Sequence, residues 1–245
     1  MKILYIDHHA ALPSSGGDCR AVQLAQGWQQ CGDEVTIVTA GYSHRRGKNL
    51  TVEKEMEEQQ LEGVTFCPLL SPDYVHGVGE YRKSVQSFLK KLYLNAPKLV
   101  ERYHPEIVIA ASGYPYDYFC AQRIAKLAHA KTVFELRETW PELSPAEDSR
   151  LDQCIAEYAM GYALRGADTV VSFLQKGEDY CRQKEITPAH LATLPAPAPP
   201  QASPQPLREA DAEAIRALRE RYPVIAAYAG HLNDRHLPEL LVGAA

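Results

Sequence analysis

A chain of 245 residues with 45% hydrophobic and 23% charged residues is long and apolar enough to bury a full core, which excludes a disordered protein. Its formal net charge of -5 gives no overall attraction for nucleic acid, so we expect no nucleic-acid partner and only local binding of anions. No apolar run approaches the roughly 18 residues of a membrane span, and the N-terminus passes directly into a predicted strand. We therefore expect a cytoplasmic protein.

The cysteines and histidines give little sign of a metal site. The six cysteines are scattered without a CxxC pair, which favours reduced thiols over a zinc site or a disulfide framework. Among the nine histidines, His8 and His9 follow the first predicted strand. Neighbouring strand residues point to opposite faces, so the two rings could not easily converge on one ion if the strand continued that far. We expect no bound metal.

The first 40 residues have the order strand, glycine loop, helix and strand, which is typical of the phosphate-binding half of a Rossmann-type fold. A short apolar run at 3–6 predicts a buried parallel strand, and 34–39 (EVTIVT) predicts a second. Gly16 and Gly17 precede the helix, where glycine allows close approach of the backbone to a ligand and the helix N-terminus attracts an anion. The apolar stripe of this helix is formed by Ala21, Leu24, Ala25 and Trp28.

A dinucleotide site is disfavoured, because the loop is not GxGxxG and no acidic residue closes the second strand. A glycine pair before a helix is also often only a tight turn.

Further strands alternate with helices along the chain. A polar stretch at 44–58 is predicted as a loop or a frayed helix, and Pro97 should kink the long helix at 80–103 or mark a new start. The pattern predicts an α/β fold with a Rossmann-like parallel sheet and helices on both faces. The predicted strands are 64–69, 106–111, 131–136 and 167–172, with helices after 115 (through 128) and at 148–164.

A proline-rich segment divides the chain. Residues 195–206 read as a semi-rigid linker after a first domain at 1–194. The segment at 207–245 then begins a second α/β unit with a charged helix at 210–221 and a strand at 224–229. We expect this second Rossmann-like domain to be truncated.

The chain resembles family 4 glycosyltransferases of the GT-B fold in the order of several short motifs. The resemblance covers the N-terminal, acceptor-side domain of that family and the start of its C-terminal, donor-binding domain. The matching segments are MKILYID at the N-terminus, GGDCR at 16–20, FELRETWPE at 134–142, ADTVVSFLQ at 167–175 and YAGHL at 228–232.

This resemblance implies a transferase that moves a sugar from a nucleotide diphosphate sugar to a glycan or lipid-linked acceptor, with retention of anomeric configuration. It implies no cofactor beyond that co-substrate and no divalent metal, since helix N-termini and basic residues stabilise the leaving diphosphate. The family's acidic donor-binding segment has no counterpart here, so we expect the chain to fold without transferring sugar by itself.

The resemblance also assigns roles to particular residues. Gly16 and Gly17 correspond to the family's glycine pair near the donor phosphates and the acceptor, and Asp18 and Arg20 complete that motif. Arg20 would orient the loop or meet a phosphate.

Arg137 and Glu138 correspond to the family's Arg-Asp pair and are the expected catalytic residues, positioning acceptor or donor hydroxyls. Glutamate in place of the usual aspartate moves the carboxylate by about one bond length, which matters where positioning errors near 1 Å are costly. A plain surface ion pair between the two is the alternative.

Other residues follow strands that end at the same predicted edge of the sheet, where ligands of open α/β sheets bind. His8, His9, Ser112 and Tyr114 are candidate substrate-binding residues for this reason.

Two other classes of function remain open at this point. The chain could be a non-catalytic remnant or binding module, or a nucleotide-sugar epimerase of the same fold.

The helix at 80–103 could place a basic face on an anionic membrane, as peripheral contact at the inner surface, or leave that face in solvent. The basic residues of the helix at 80–103 are Arg82, Lys83, Lys90, Lys91 and Lys98.

A variant tests the role of the glycine pair. Gly17→Val should leave stability nearly unchanged if the glycine serves a ligand.

Overall fold

The computed structural model describes residues 1–74, 78–140, 149–195 and 208–226. The chain divides into two compact units, Met1–Ala198 and Pro199–Ala245. In the described residues the strands are β1 (Lys2–Ile6), β2 (Glu34–Ala40), β3 (Gln59–Leu61), β4 (Val64–Leu69), β5 (Ile107–Ala110), β6 (Lys131–Leu136), β7 (Thr169–Ser172) and β8 (Leu191–Thr193). The α-helices are α1 (Arg20–Gln30), α2 (Val78–Leu94), α3 (Ala96–Tyr103), α4 (Asp117–Ala128), α5 (Arg150–Gly166), α6 (Gly177–Gln183) and α7 (Glu209–Arg221).

The first unit is built on one eight-stranded sheet in the order β3-β4-β2-β1-β5-β6-β7-β8. All neighbouring pairs are parallel except β3 with β4. The central strands are short apolar runs because both of their faces are covered. This arrangement confirms the predicted α/β fold with a Rossmann-like parallel sheet.

Two hydrophobic clusters lie on opposite faces of the sheet. Alternate residues of β1 divide between them, with Tyr5 on one face and Leu4 on the other. The Tyr5 face packs against the predicted stripe of α1, whereas the Leu4 face packs against α2, α3, α4 and α5. Helices therefore cover both faces, as the periodicities predicted.

The predicted long helix at 80–103 is two helices. α2 ends at Leu94 and α3 begins at Ala96 with Pro97 in its first turn, where a missing amide proton costs nothing. Ser149 caps α5 by accepting from the Asp152 amide at 3.2 Å, and the Asp152 carboxylate accepts from the Ser149 amide in return.

Several elements differ from the sequence-based expectation. β3, β8 and α6 were not predicted, because each is short and β3 begins with two polar glutamines. The polar stretch at 44–58 is irregular rather than helical. The predicted helix at 210–221 is present as α7, whereas the predicted strand at 224–229 is wrong for 224–226, and its remainder lies outside the described residues.

Within the described ranges, none of the helices combines the length and apolar character needed to cross a membrane.

Candidate functional site

Three adjacent strands, β1, β5 and β6, end at one edge of the sheet, and the loops that follow them are rich in polar side chains. Asp7, His8 and His9 follow β1, Ser112 and Tyr114 follow β5, and Arg137 and Glu138 follow β6. Since parallel strands share their carboxyl edge, the fold brings most of the predicted site residues together. We call this group the carboxyl-edge cluster.

Arg137 connects three loops at this edge. Its Nη1 donates to the Ala111 carbonyl at 2.8 Å and to Oδ2 of Asp7 at 3.1 Å, while Nη2 pairs with the Asp18 carboxylate. The side chain of Asp7 is buried and that of Asp18 is partly exposed. Arg137 thus ties the glycine loop to the ends of β1 and β5, and two carboxylates offset its charge.

Among the described residues, Arg137 and Glu138 pair with other side chains and not with each other, so the alternative of a plain surface ion pair between them is wrong. Glu138 instead lies 3.5 Å from Arg45 through its Oε1, and its side chain is 27% exposed. An ion pair this long and this exposed contributes about 0–1 kcal/mol. The Glu138 carboxylate is therefore held loosely at the mouth of the cluster, where a ligand hydroxyl could reach it.

The rings of His8 and His9 stack, with centroids 4.4 Å apart and planes 30° from parallel. Strand alternation would separate the two rings only if β1 continued through them, and β1 ends at Ile6, so that condition is not met. Nδ1 of His8 is hydrogen-bonded to the Tyr114 hydroxyl at 2.8 Å, and Nδ1 of His9 to the Ser43 hydroxyl at 2.8 Å.

Both histidines are neutral at physiological pH. Burial, followed by the nearby Arg46 and Arg45 charges, lowers the pKa of His8 to about 3. Burial likewise lowers the pKa of His9 well below its usual range. The buried Nε2 of His8 has no hydrogen-bond partner among the described residues. Neutral imidazoles can donate or accept a hydrogen bond from a polar ligand without adding charge.

Ser112 is held between β1 and the start of α4. Its hydroxyl accepts from the His8 amide at 3.1 Å, and its own amide donates to Oδ2 of Asp117 at 2.9 Å. Asp117 is fully buried, and burial raises the pKa of its carboxyl to about 7. Sequence reasoning missed Asp117, although an acidic residue in the first turn of a predicted helix is a recognisable signal.

The glycine pair lies in a loop before α1, which begins only at Arg20. Gly16 and Gly17 both have positive φ, 69° and 117°. A Cβ on Gly17 would lie 2.5 Å from the Arg45 carbonyl oxygen. The expectation that Gly17→Val leaves stability nearly unchanged is therefore wrong, because this backbone has no room for a side chain.

Arg20 lies beneath the site rather than in it. Its side chain is 3% exposed, and its Nε and Nη2 donate to Oε1 of Glu135 at 2.8 and 2.5 Å. The same guanidinium donates to the carbonyls of Leu194 at 3.3 Å and Pro195 at 3.1 Å. With its donors committed in this way, Arg20 fits the loop-orienting role better than contact with a phosphate.

Arg46 is a structural residue that sequence reasoning missed. Its buried guanidinium donates to the carbonyls of Ala10 and Ala40, each at 2.7 Å, and of His8 at 3.2 Å. Burial lowers the pKa of Arg46 to about 10, so the group is charged at neutral pH. It fixes the backbone that carries His8 and His9, and no periodic pattern in the irregular loop could have revealed it.

No group of three or more His, Cys, Asp or Glu side chains suited to a metal ion occurs in the part of the chain that the structure describes.

A mostly parallel open sheet covered by helices, with polar loops gathered at its carboxyl edge, defines a Rossmann-like domain. The sequence matches the model of the glycosyl transferase 4-like domain over residues 15–197, and the chain belongs to this family. No curated protein matches the chain.

Solved structures share the fold at low identity. A sucrose-phosphate synthase chain from Thermosynechococcus elongatus is similar with a TM-score of 0.52 and 13% identity, over 89% of this chain and 97% of that chain. A second sucrose-phosphate synthase chain from the same organism has a TM-score of 0.57 and 12% identity, over 79% and 47%. The apo lipopolysaccharide outer core galactosyltransferase WaaB has a TM-score of 0.50 and 13% identity, over 84% and 50%.

These likenesses show the GT-B glycosyltransferase fold. The chain spans about half the length of the second synthase chain and of the galactosyltransferase, 47% and 50%.

Proposed function

We propose that this protein acts in the transfer of a sugar from a nucleotide diphosphate sugar to a glycan or lipid-linked acceptor, with retention of anomeric configuration. The single observation that carries the proposal is the family match across residues 15–197, which includes most of the carboxyl-edge cluster. The cytoplasm, where nucleotide sugars are available, is the proposed place of action.

The cluster is better suited to sugar hydroxyls than to phosphate. Asp7, Asp18 and Glu138 surround Arg137 and Arg45, so the positive charges are largely offset. Carboxylates accept hydrogen bonds from hydroxyl groups, and charge-assisted bonds of this kind are the stronger ones. Glu138 therefore positions an acceptor hydroxyl, while Arg137 holds the loops in register.

A donor phosphate is assigned to the backbone of the glycine loop. Cys19, the residue before α1, makes no side-chain capping bond, and the Asp18 carboxylate accepts from the Arg20 amide at 3.0 Å. The next amides of the helix, those of Ala21 and Val22, are the ones assigned to an anion. Such donors would stabilise the negative charge that develops on a leaving diphosphate, and no metal is required in this scheme.

Peripheral contact with an anionic membrane remains part of the proposal. Lys83 and Lys90 are exposed on α2. Two other members of the predicted basic face already have acidic neighbours, since Arg82 lies 3.6 Å from Asp152 and Lys91 lies 3.7 Å from Glu55. The basic face is thus narrower than the sequence indicated.

A genetic experiment tests the function in the cell that makes the protein. Deleting the gene should remove one glycosidic linkage from a glycan or glycolipid, detected by mass spectrometry, and the natural coding sequence should restore it. Glu138→Gln should fail to restore the linkage. Glu34→Gln is the matched control, because that carboxylate is 76% exposed at the opposite edge of the sheet. An unchanged set of glycans would contradict the proposal.

A second experiment separates the alternatives. Purified protein is incubated with nucleotide diphosphate sugars, with and without membrane lipids and glycans from the same cells. Acceptor-dependent release of nucleoside diphosphate supports a transferase, whereas conversion of the nucleotide sugar without an acceptor would indicate an epimerase. Neither reaction is the result expected of a non-catalytic remnant or binding module.

A further inference from the structure

A second feature lies beside the carboxyl-edge cluster: a cavity of about 310 Å³ between α2, α5 and the loops after β5 and β6. Its size falls within the range of small-molecule sites. Most of its lining side chains are aromatic or aliphatic, namely Tyr81, Val85, Leu89, Tyr114, Tyr116, Trp140 and Ile155.

The cavity and the cluster share residues. Tyr114 lines the cavity while its hydroxyl is bonded to Nδ1 of His8 at 2.8 Å. Tyr81 lines it too, with its hydroxyl 3.3 Å from Nε2 of His9. A molecule in the cavity therefore adjoins the two histidines of the carboxyl-edge cluster.

The aromatic walls offer ring surface rather than polar atoms. The indole N–H of Trp140 donates to the Gly113 carbonyl at 2.9 Å, and the hydroxyls of Tyr81 and Tyr114 are bonded to the two histidines. Gln86 and the pair of Arg82 with Asp152 are the polar members of the lining. A free sugar would leave several hydroxyls without partners here, which is costly, whereas an apolar group would not.

An exposed apolar strip on α5 continues from this cavity. Ile155 lines the cavity and is 49% exposed, while Leu151 and Tyr158 on the same face of the helix are 69% and 68% exposed. Seven residues of helix span about 10 Å. The strip therefore suits an elongated hydrocarbon chain better than a compact ring.

We propose that this cavity binds the hydrocarbon chain of a lipid-linked acceptor. The inference rests on the proposed function and narrows its acceptor to an amphipathic molecule. Its hydroxyl-bearing head lies at Glu138, at the mouth of the carboxyl-edge cluster, and its chain follows the aromatic walls out along the strip on α5.

Fluorescence of Trp140 reports on occupancy directly. The chain has two tryptophans, so Trp28→Phe leaves Trp140 as the only one. Dodecyl maltoside, below its micelle concentration, should shift and saturate this signal at least tenfold more tightly than octyl maltoside. Maltose, which has the same head without the chain, should leave the signal unchanged.

A pair of matched variants locates the binding. Ile155→Glu should weaken dodecyl maltoside binding at least tenfold. Leu127→Glu, at a position that is 46% exposed on α4 and does not line the cavity, should bind like the natural chain. Circular dichroism checks that both variants fold. If Ile155→Glu does not fold, Gln86→Glu, at another position that lines the cavity, provides a second test.

Several outcomes would overturn the inference. These are equal binding of maltose and dodecyl maltoside, equal effects of the two glutamate variants, or tighter binding of phenyl maltoside, which would indicate an aromatic acceptor. Its failure is distinguishable from failure of the proposed function, because binding is measured without turnover. If the protein transferred sugar to a water-soluble glycan but did not bind alkyl maltosides, the proposed function would still be supported and the hydrocarbon site would be contradicted.

Discussion

Arg20 and Glu135 form a buried ion pair in which two donors of the guanidinium reach the same carboxylate oxygen, at 2.8 and 2.5 Å. Both side chains are 3% exposed, and Oε2 of Glu135 also accepts from the Tyr5 hydroxyl at 2.7 Å. Removing the cation would leave a carboxylate in the core without its partner. The pair therefore links α1 to β6, and losing either partner is costly.

The first prediction follows from that pair. Arg20→Met should lower the free energy of unfolding by about 3–5 kcal/mol, because it leaves a buried charge uncompensated. Arg182→Met is the control, since the pairs of Arg182 with Glu178 and Asp179 are exposed and worth about 0–1 kcal/mol. Urea titration measures both. Little loss of stability with weakened anion binding would instead support contact between Arg20 and a phosphate.

The second prediction concerns two glycines. Gly17→Ala should destabilise the fold by about 1–3 kcal/mol, since its φ is positive and a Cβ would lie 2.5 Å from the Arg45 carbonyl oxygen. Gly27→Ala, in α1, places its Cβ in open space and should stabilise the fold by about 0.5–1 kcal/mol. Equal effects in thermal unfolding would contradict the strained-loop interpretation.

The third prediction is a pH dependence. His8 and His9 have lowered pKa values, so below about pH 6.5 the unfolded chain takes up protons that the folded chain does not. Stability should therefore fall as the pH falls from about 6.5 towards 3, by up to about 1.4 kcal/mol per pH unit for each ring. His9→Asn should remove the contribution of one ring, so the free energy of unfolding should depend less steeply on pH. Urea unfolding between pH 4.5 and 7.5 measures this slope.

The carboxyl of Asp117 changes the pH dependence of stability in the opposite direction, so its effect has to be separated from that of His9. Its pKa is raised to about 7 in the folded chain, so its contribution to stability increases as the pH falls towards 3.8. Comparing His9→Asn with the natural chain cancels this contribution. Exposed His190 provides the control substitution, His190→Asn. An identical slope for His9→Asn and the natural chain would show that His9 is not held neutral.

The fourth prediction concerns nucleotide binding. Because Asp7 and Asp18 offset Arg137, the natural chain should bind nucleoside diphosphates no tighter than about millimolar, a level worth roughly 4 kcal/mol. Asp18→Asn keeps an oxygen for the Arg20 amide but removes the charge, and should tighten binding about three- to tenfold. Calorimetry measures both, with Glu34→Gln as the remote charge control. A micromolar constant for the natural chain would contradict this assignment.

The fifth prediction tests the membrane contact. Natural protein should cosediment with anionic vesicles at low salt, and Lys83→Glu with Lys90→Glu should abolish this. Lys126→Glu with Lys176→Glu makes the same change in net charge at exposed positions outside α2. If both double variants lose binding equally, the attraction is not specific to α2.

The sequence was a good guide where short-range patterns decide the structure. The apolar run at 64–69 is β4, and Pro97 marks the start of α3, because strand burial and proline geometry are local properties. The carboxyl ends of parallel strands share an edge, so His8, Ser112 and Arg137 could be placed together from the strand pattern alone.

Long-range pairing could not be predicted. Arg20 and Glu135 are 115 positions apart, and nothing near either residue indicates that they meet. The stacking of His8 on His9 depends on β1 ending at Ile6, and strand ends are poorly defined by sequence. Arg45 and Arg46 belong to an irregular loop, and Arg46 contacts β2 and the loop after β1 rather than following a local pattern.

The edges of the sheet limit how this domain can associate with other chains. In the described residues the sheet ends on one side in β3 and on the other in β8, each only three residues long. Unpaired edge strands invite a further strand from another molecule, and short ones offer few amides and carbonyls for it. Gln59 and Gln60 also give the β3 edge a polar character. The two edges of this sheet therefore offer little for strand pairing with another chain.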